Sequence, residues 1–406
     1  MTPAMTIGER IAFYRRRRGL SQLVLAGLVG RTEDWLSKVE NGRIDLDRLS
    51  VIRRVAEALD ITISDLVGEP TLLEWTADSG VQTVPALRAA LMDYRQITPL
   101  LASSAAAGDA VEINSLEADV SAIFEAYQAS RYGYVTGRTP LVLSDALNAT
   151  RNAGPGDRHR ALALLALTYQ VAVSVLTKLG ETDLAWIASE RGLTAAQESE
   201  NPVVLGSLFR SVAYALHSTG RFAAGVDLVR TAAGVLETHL STRSDESFLA
   251  VYGTLFLTGA VAAARAEDRA SVTTFLREAE DSAHRVGRDT NAMWTAFGPT
   301  NVSLHRMTTA LELGDVQVAV DLAPSIDVSG LPVERQVRHA IETARAYTAR
   351  NRRDEALAVL LQAEQVAPEQ VRHHALSRQL VLGWVKGNRS HRDPALDGLA
   401  GRLRLV

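Results

Sequence analysis

The sequence predicts an all-α protein with a small helical head and a long helical-repeat body. Three observations carry that expectation. Apolar residues recur at helical spacing through almost all of the 406 residues, and no useful stretch alternates as a strand would. The breaks between periodic segments are short and rich in Gly, Asn, Asp, Ser and Pro. A chain of this length is expected to form two or three domains.

At the start, Ile7, Ile11 and Tyr14 share one face of a first helix that ends in Arg15, Arg16, Arg17 and Arg18. Ser21 is a good N-cap for a second helix, whose Leu25, Ala26 and Val29 turn inward. Gly30 can take a left-handed turn conformation, and Thr32 caps a third helix. In that helix Leu36 and Val39 fall on the inner side, while Glu33, Asp34, Ser37 and Lys38 face out. Asn41 and Gly42 stop it. Leu46, Leu49, Ile52, Ala56 and Leu59 space a fourth helix, and DITISDLVG closes with a short fifth. Residues 1–68 therefore form the expected head. Residues 69–85, EPTLLEWTADSGVQTVP, break the periodicity and are expected to be a linker, with Trp75 docked on a neighbour. The body is expected over 86–406.

Ser-Gln opens the second helix, Leu-Ala lies inside it, glycine makes the turn, and the third helix closes with Ser-Lys-Val-Glu-Asn-Gly. Over roughly residues 7 to 68 this pattern resembles the helix-turn-helix of Cro and phage repressors, the xenobiotic-response-element family. The resemblance implies a head that reads double-stranded DNA with its third helix in the major groove. It puts Thr32, Glu33, Asp34, Ser37 and Lys38 over that groove and Gln22, Asn41 and Arg43 near phosphates. Arg16, in the exposed basic run, is a further candidate for phosphate contact. Three features depart from the family. Arg31 stands where a small apolar residue is usual, and acidic Glu33 and Asp34 occupy the base-facing start of the helix. Carboxylates can accept from cytosine N4 but repel phosphates, which Arg31 can offset. Leu23, Val24 and Leu28 stand where polar residues are usual, either contacting a partner head or the rest of the chain, or partly buried.

Charge alone would not have pointed to nucleic acid. Residues 1–70 hold 11 basic and 10 acidic side chains, against 32 and 37 in the remainder. The head carries +1 and the body −5. Cysteine is absent, which excludes disulfides, thiolate zinc sites and cysteine nucleophiles. Lysine occurs only at 38, 178 and 386 and arginine supplies the other 40 basic residues, a bias expected of a GC-rich bacterial genome. The N-terminus has no apolar signal core, and the apolar run from Ala161 to Leu176 is interrupted by Thr, Tyr, Gln and Ser. A cytoplasmic protein without a membrane partner is expected. No phosphate-binding glycine loop, His-Glu-x-x-His or nucleophile elbow is present, and His373 and His374 should point apart on a helix. A non-enzyme without cofactor or metal follows.

In the body a helix-break-helix unit recurs: LTKLGETDLAWIA, LHSTGRFAAGVDLV, AARAEDRASVTTFL, LELGDVQVAVDLA and TARNRRDEALAVLL. The breaks at Gly180, Gly220, Glu267, Gly314 and Asn351 are 40, 47, 47 and 37 residues apart. Ala185, Gly225, Ala319 and Ala356 each follow five positions after a break, small enough for paired helices to approach closely. The unit resembles tetratricopeptide-like repeats, with a generic helical bundle as the alternative. Stacked pairs rotate slightly and leave a concave face suited to a ligand.

Polar and aromatic residues on otherwise apolar helices mark the candidate ligand site. They are Arg210, Tyr214 and His217, then Tyr252, then Trp294, Phe297, Asn301, His305 and Arg306. Asn301 can donate and accept at once, and His305 follows one helical turn later. Combined with the head, such a body resembles regulators whose repeats sense a small molecule or short peptide. A homodimer is expected, because one head buries little DNA and two can read half-sites a helical turn apart. The alternative is a body that docks a protein partner and takes no small ligand.

Overall fold

The computed structural model describes residues 5–67, 83–93, 111–240, 245–387 and 393–405. Among the described residues there are 21 α-helices and no β-strand, only an isolated bridge between Thr290 and Phe297. Trp75 and the expected linker up to residue 82 lie outside the described residues. The last part of that linker begins a helix instead, at Thr83.

Five helices form the head: α1 (Ile7–Arg17), α2 (Gln22–Leu28), α3 (Glu33–Glu40), α4 (Leu49–Leu59) and α5 (Ile63–Val67). The first three start on side-chain caps. Thr6 and Glu9 form a reciprocal capping box on α1, Ser21 Oγ accepts from Val24 N at 3.1 Å, and Thr32 Oγ1 accepts from Trp35 N at 3.2 Å. One apolar core joins all five, built from Ile7, Ile11, Leu25, Ala26, Val29, Leu36, Val39, Ile52, Val55, Leu59 and Leu66. Beside it Arg15 grips Glu40 through Nε and Nη2 at 2.6 and 2.8 Å, and Gln22 Nε2 donates to the same carboxylate at 2.7 Å. This lock ties α1, α2 and α3 together. Arg15 thus belongs to the interior, while Arg16, Arg17 and Arg18 are exposed.

The body is a stack of helix pairs. After α6 (Thr83–Leu91) come α7 (Ile113–Gln128) with α8 (Tyr132–Asn152), then α9 (Arg158–Leu179) with α10 (Thr182–Glu198). Next are α11 (Pro202–Ser218) with α12 (Phe222–Leu240) and α13 (Glu246–Arg265) with α14 (Arg269–Val286). The last pairs are α15 (Pro299–Leu313) with α16 (Val316–Leu322) and α17 (Val333–Ala349) with α18 (Arg353–Val366). Short helices α19 (Pro368–His373), α20 (Ala375–Gly387) and α21 (Pro394–Arg402) close the end. All five breaks anticipated in the sequence fall inside pairs, and each takes a left-handed φ between 61° and 84°. Glu267 and Asn351 do so without being glycine. Ser130, at φ 59°, turns α7 into α8 in the same way and marks a further pair that the sequence did not betray. Ala185, Ala319 and Ala356 are fully buried where the partner helix crosses. α9 and α13 are long and apolar enough to cross a membrane, yet both are largely enclosed by neighbouring helices.

The head sits on the body's turns. Ile63 lies over Gly220, Arg54 pairs with Glu267 at 2.9 Å, and Arg48 donates to the Leu313 carbonyl at 3.1 Å beside Gly314. Three consecutive repeat turns therefore form its seat. Arg345, from α17, reaches across to Asp47 at 2.8 Å, and Lys386 pairs with Glu9.

Candidate DNA-facing helix and effector cavity

The outer face of α3 remains accessible with the head seated. Arg31, Thr32, Glu33 and Asp34 are exposed and Ser37 and Lys38 half-exposed, as the helical spacing requires. Lys38 Nζ meets Asp34 at 2.7 Å one turn away, an exposed pair worth little in water. Arg31 lies 5.6 Å over the Trp35 ring. Asn41 Nδ2 donates to the Ser37 carbonyl at 2.7 Å and so completes the end of α3, with Arg43 exposed just beyond. Gln22, assigned to phosphate, already gives its amide to Glu40. Leu23, Val24 and Leu28 are 63%, 48% and 62% exposed, so none of them belongs to the core.

In the body a cavity of about 730 Å³ opens between the repeat pairs. Its wall takes Arg210, Tyr214 and His217 from α11 and Asn301 and His305 from α15, together with Trp294 from the turn before α15. Sequence reasoning had grouped these six. It was mistaken in adding Tyr252 and Phe297. Phe297 is fully buried against Gly253, where a Cβ would overlap its ring. Tyr252 packs in that same core between Phe248 and Phe256, its hydroxyl on Glu237 at 3.2 Å. Both aromatics are structural. Arg306 points away to Glu280 at 2.6 Å.

Other elements supply the rest of the wall. Lys178 comes from α9, Glu334, Arg335, Arg338, His339 and Glu342 from α17, and His373 and His374 from the end of α19. Leu49, Ile63 and Val67 of the head also line it. Trp294 stacks on Phe124 at 4.1 Å with planes 6° apart. Its segment holds Met293, Trp294 and Ala296 at positive φ, strain of a kind that persists only where surroundings impose it. Gln128 fixes the segment by bonding Asn291 and the Trp294 carbonyl at 2.8 and 3.1 Å.

Electrostatically the wall is crowded. Glu334 holds Lys178 at 2.5 Å and Arg335 at 3.1 Å, and Arg338 pairs with Glu342 at 2.9 Å. Burial opposes ionisation of Glu334, but Lys178 and Arg335 beside it prevail and keep it well below the ordinary carboxylate range. The histidines stay neutral: burial, aided by neighbouring Arg265 and Arg335, pushes His217 and His305 down to about 3. A chain of ion pairs leaves the wall toward the head. Glu342 meets Arg345 at 3.3 Å, Arg345 and wall residue Arg265 share Glu312, and Arg345 ends on Asp47.

The fold and site define a class: a helix-turn-helix head seated on a helical-repeat body that holds a partly open cavity lined by both polar and apolar side chains. Residues 6–66 match the helix-turn-helix domain family. Over 70 residues, 17% of this chain, the sequence is 39% identical to the immunity repressor protein of Bacillus phage phi105, and the chain spans about half that relative's length, 48%. Two solved structures align over more of the chain. BtubC from P. vanneervenii gives a TM-score of 0.38 at 15% identity, covering 69% of this chain and 94% of that one. Bacillus thuringiensis PlcR, solved in complex with the peptide PapR7 and DNA, gives 0.37 at 13% identity, covering 88% and 99%.

Proposed function

We propose that this protein is a cytoplasmic, sequence-specific transcription regulator that binds an operator as a homodimer and takes an effector in its body cavity. The match of residues 6–66 to the helix-turn-helix family and the free face of α3 support operator binding. In this reading Thr32, Glu33, Asp34, Ser37 and Lys38 meet base edges, while Arg16, Arg31, Asn41 and Arg43 meet phosphates. The exposed Leu23, Val24 and Leu28 of α2 are available to the second head.

One observation carries the sensing role: Leu49, Ile63 and Val67 of the head line the same cavity as Arg210, Tyr214, Trp294, Asn301 and His305. A ligand there has differential contact with seated and unseated heads, which is what lets an effector shift DNA affinity, and the operator must shift effector affinity reciprocally. The concave, partly aromatic wall favours a small effector over a docked protein partner. Genome-wide immunoprecipitation of the full chain followed by footprinting on recovered fragments tests operator binding. Protected sites with two half-sites are expected. Unchanged operator affinity in a Glu33→Ala, Lys38→Ala double variant would overturn the assignment.

A further inference from the structure

Arg210 stands apart from the other basic residues on the cavity wall. Arg88, Lys178, Arg265, Arg335 and Arg338 each have a carboxylate partner, in Glu181, Glu334, Glu312, Glu334 and Glu342 respectively. Arg210 has none among the described residues, although it is only 7% exposed, and its Nε lacks any hydrogen-bond partner. A guanidinium does not lose its proton in a protein, so it stays charged. A buried charge without an ion-pair partner is costly to the fold. Its surroundings share the shortfall. Asn301, fully buried, leaves Oδ1 without a donor and bonds only weakly, at 3.5 Å, to the Thr295 carbonyl. Both ring nitrogens of His217 are likewise unpartnered.

We propose that Arg210 is an anchor for a carboxylate and that the effector of the cavity is a carboxylate with an apolar or aromatic body. This inference rests on the sensing role proposed above and names its ligand class. A guanidinium with no ion-pair partner calls for an anion, and its planar fork matches a carboxylate through two parallel N–H···O bonds. The body of the ligand lies along Trp294, Tyr214, Leu304 and Met307, all on the wall. An N–H on the ligand satisfies Asn301 Oδ1. Tyr214 stands between two cations. Burial pushes its phenol up, but Arg335 and Arg210 together hold it below its ordinary range, in keeping with an anion-attracting corner.

Formate, formamide and inorganic phosphate are small enough to enter whatever the shape of the natural ligand, and calorimetry on the full chain compares them. Formate is expected to raise the melting temperature and formamide not to. Arg210→Met, with Arg210→Gln as a second neutral variant, should melt higher than wild type without added anion and lose the formate response. A lower melting temperature in both variants with the formate response retained would overturn the anchor, as would equal responses to formate and formamide. A phosphate response larger than that to formate would overturn the carboxylate assignment. With bromide-soaked crystals, anomalous density beside Arg210 supports the proposal, and bromide bound only elsewhere contradicts it. Gel shifts in formate separate the two readings. If formate binds at Arg210 yet never alters operator affinity at any concentration, the anchor stands and the sensing role falls.

Discussion

Head and body treat buried charge in opposite ways. In the head, Arg15, Glu40 and Gln22 complete one another and need nothing from outside. In the body, five of the chain's nine histidines and the unmatched Arg210 face one cavity. The head has no histidine at all. The difference separates a buried ion pair finished by its own neighbours from a cavity wall left for something else to complete.

Acid should break this comparison open most widely. The folded-state values of His217, His305 and His373 lie at about 3, 3 and 4, below the ordinary 6.5, chiefly through burial. The folded body refuses protons that the unfolded chain accepts, so stability is complete above pH 6.5 and falls as pH drops toward 4. Each such group contributes up to about 1.4 kcal/mol per pH unit. Circular dichroism and protease protection across pH 7 to 4 should show the body melting before the head. Loss of both together at one pH would refute the contrast.

Next in size is Arg345→Met. It leaves Glu312 to Arg265 alone and Glu342 to Arg338 alone in the interior and cuts the tie to Asp47, for an expected loss of about 3 kcal/mol in urea denaturation. Arg210→Met makes the sharper comparison, since the same substitution is expected there to stabilise. Gly220→Ala tests the seat. Its φ of 74° and the overlying Ile63 oppose a Cβ, so a cost of about 1–3 kcal/mol and earlier proteolytic release of the head are expected. Lys38→Ala and Arg16→Ala should hardly change stability. The first should cost about 1–3 kcal/mol of discrimination at the operator, and the second should weaken binding to all sequences and flatten its salt dependence.

How much was legible followed from how local the cause was. Ser21, Gly30, Thr32 and Asn41 act within a few residues of themselves, so the head's helices could be read directly. The repeat turns were legible for the same reason, even where Glu267 and Asn351 replaced glycine. Ser130 escaped because nothing near it marks a left-handed residue. On the cavity wall, residues of α11 and α15 could be picked as polar groups on apolar helices, but Tyr252 and Phe297 gave the same signal and are core. Lys178 and Glu334, 156 positions apart, gave none, and Asp47 and Arg345 are 298 apart. Such pairs exist only after the stack has formed.

The seat on three successive turns has a mechanical consequence. A platform fixed at one tip would register only that hairpin's displacement, whereas one resting on Gly220, Glu267 and Gly314 together is tilted by any change in the pitch of the superhelix. A change in pitch between α11 and α16 would therefore tilt the head, and α3 with it, without any contact to α3 itself.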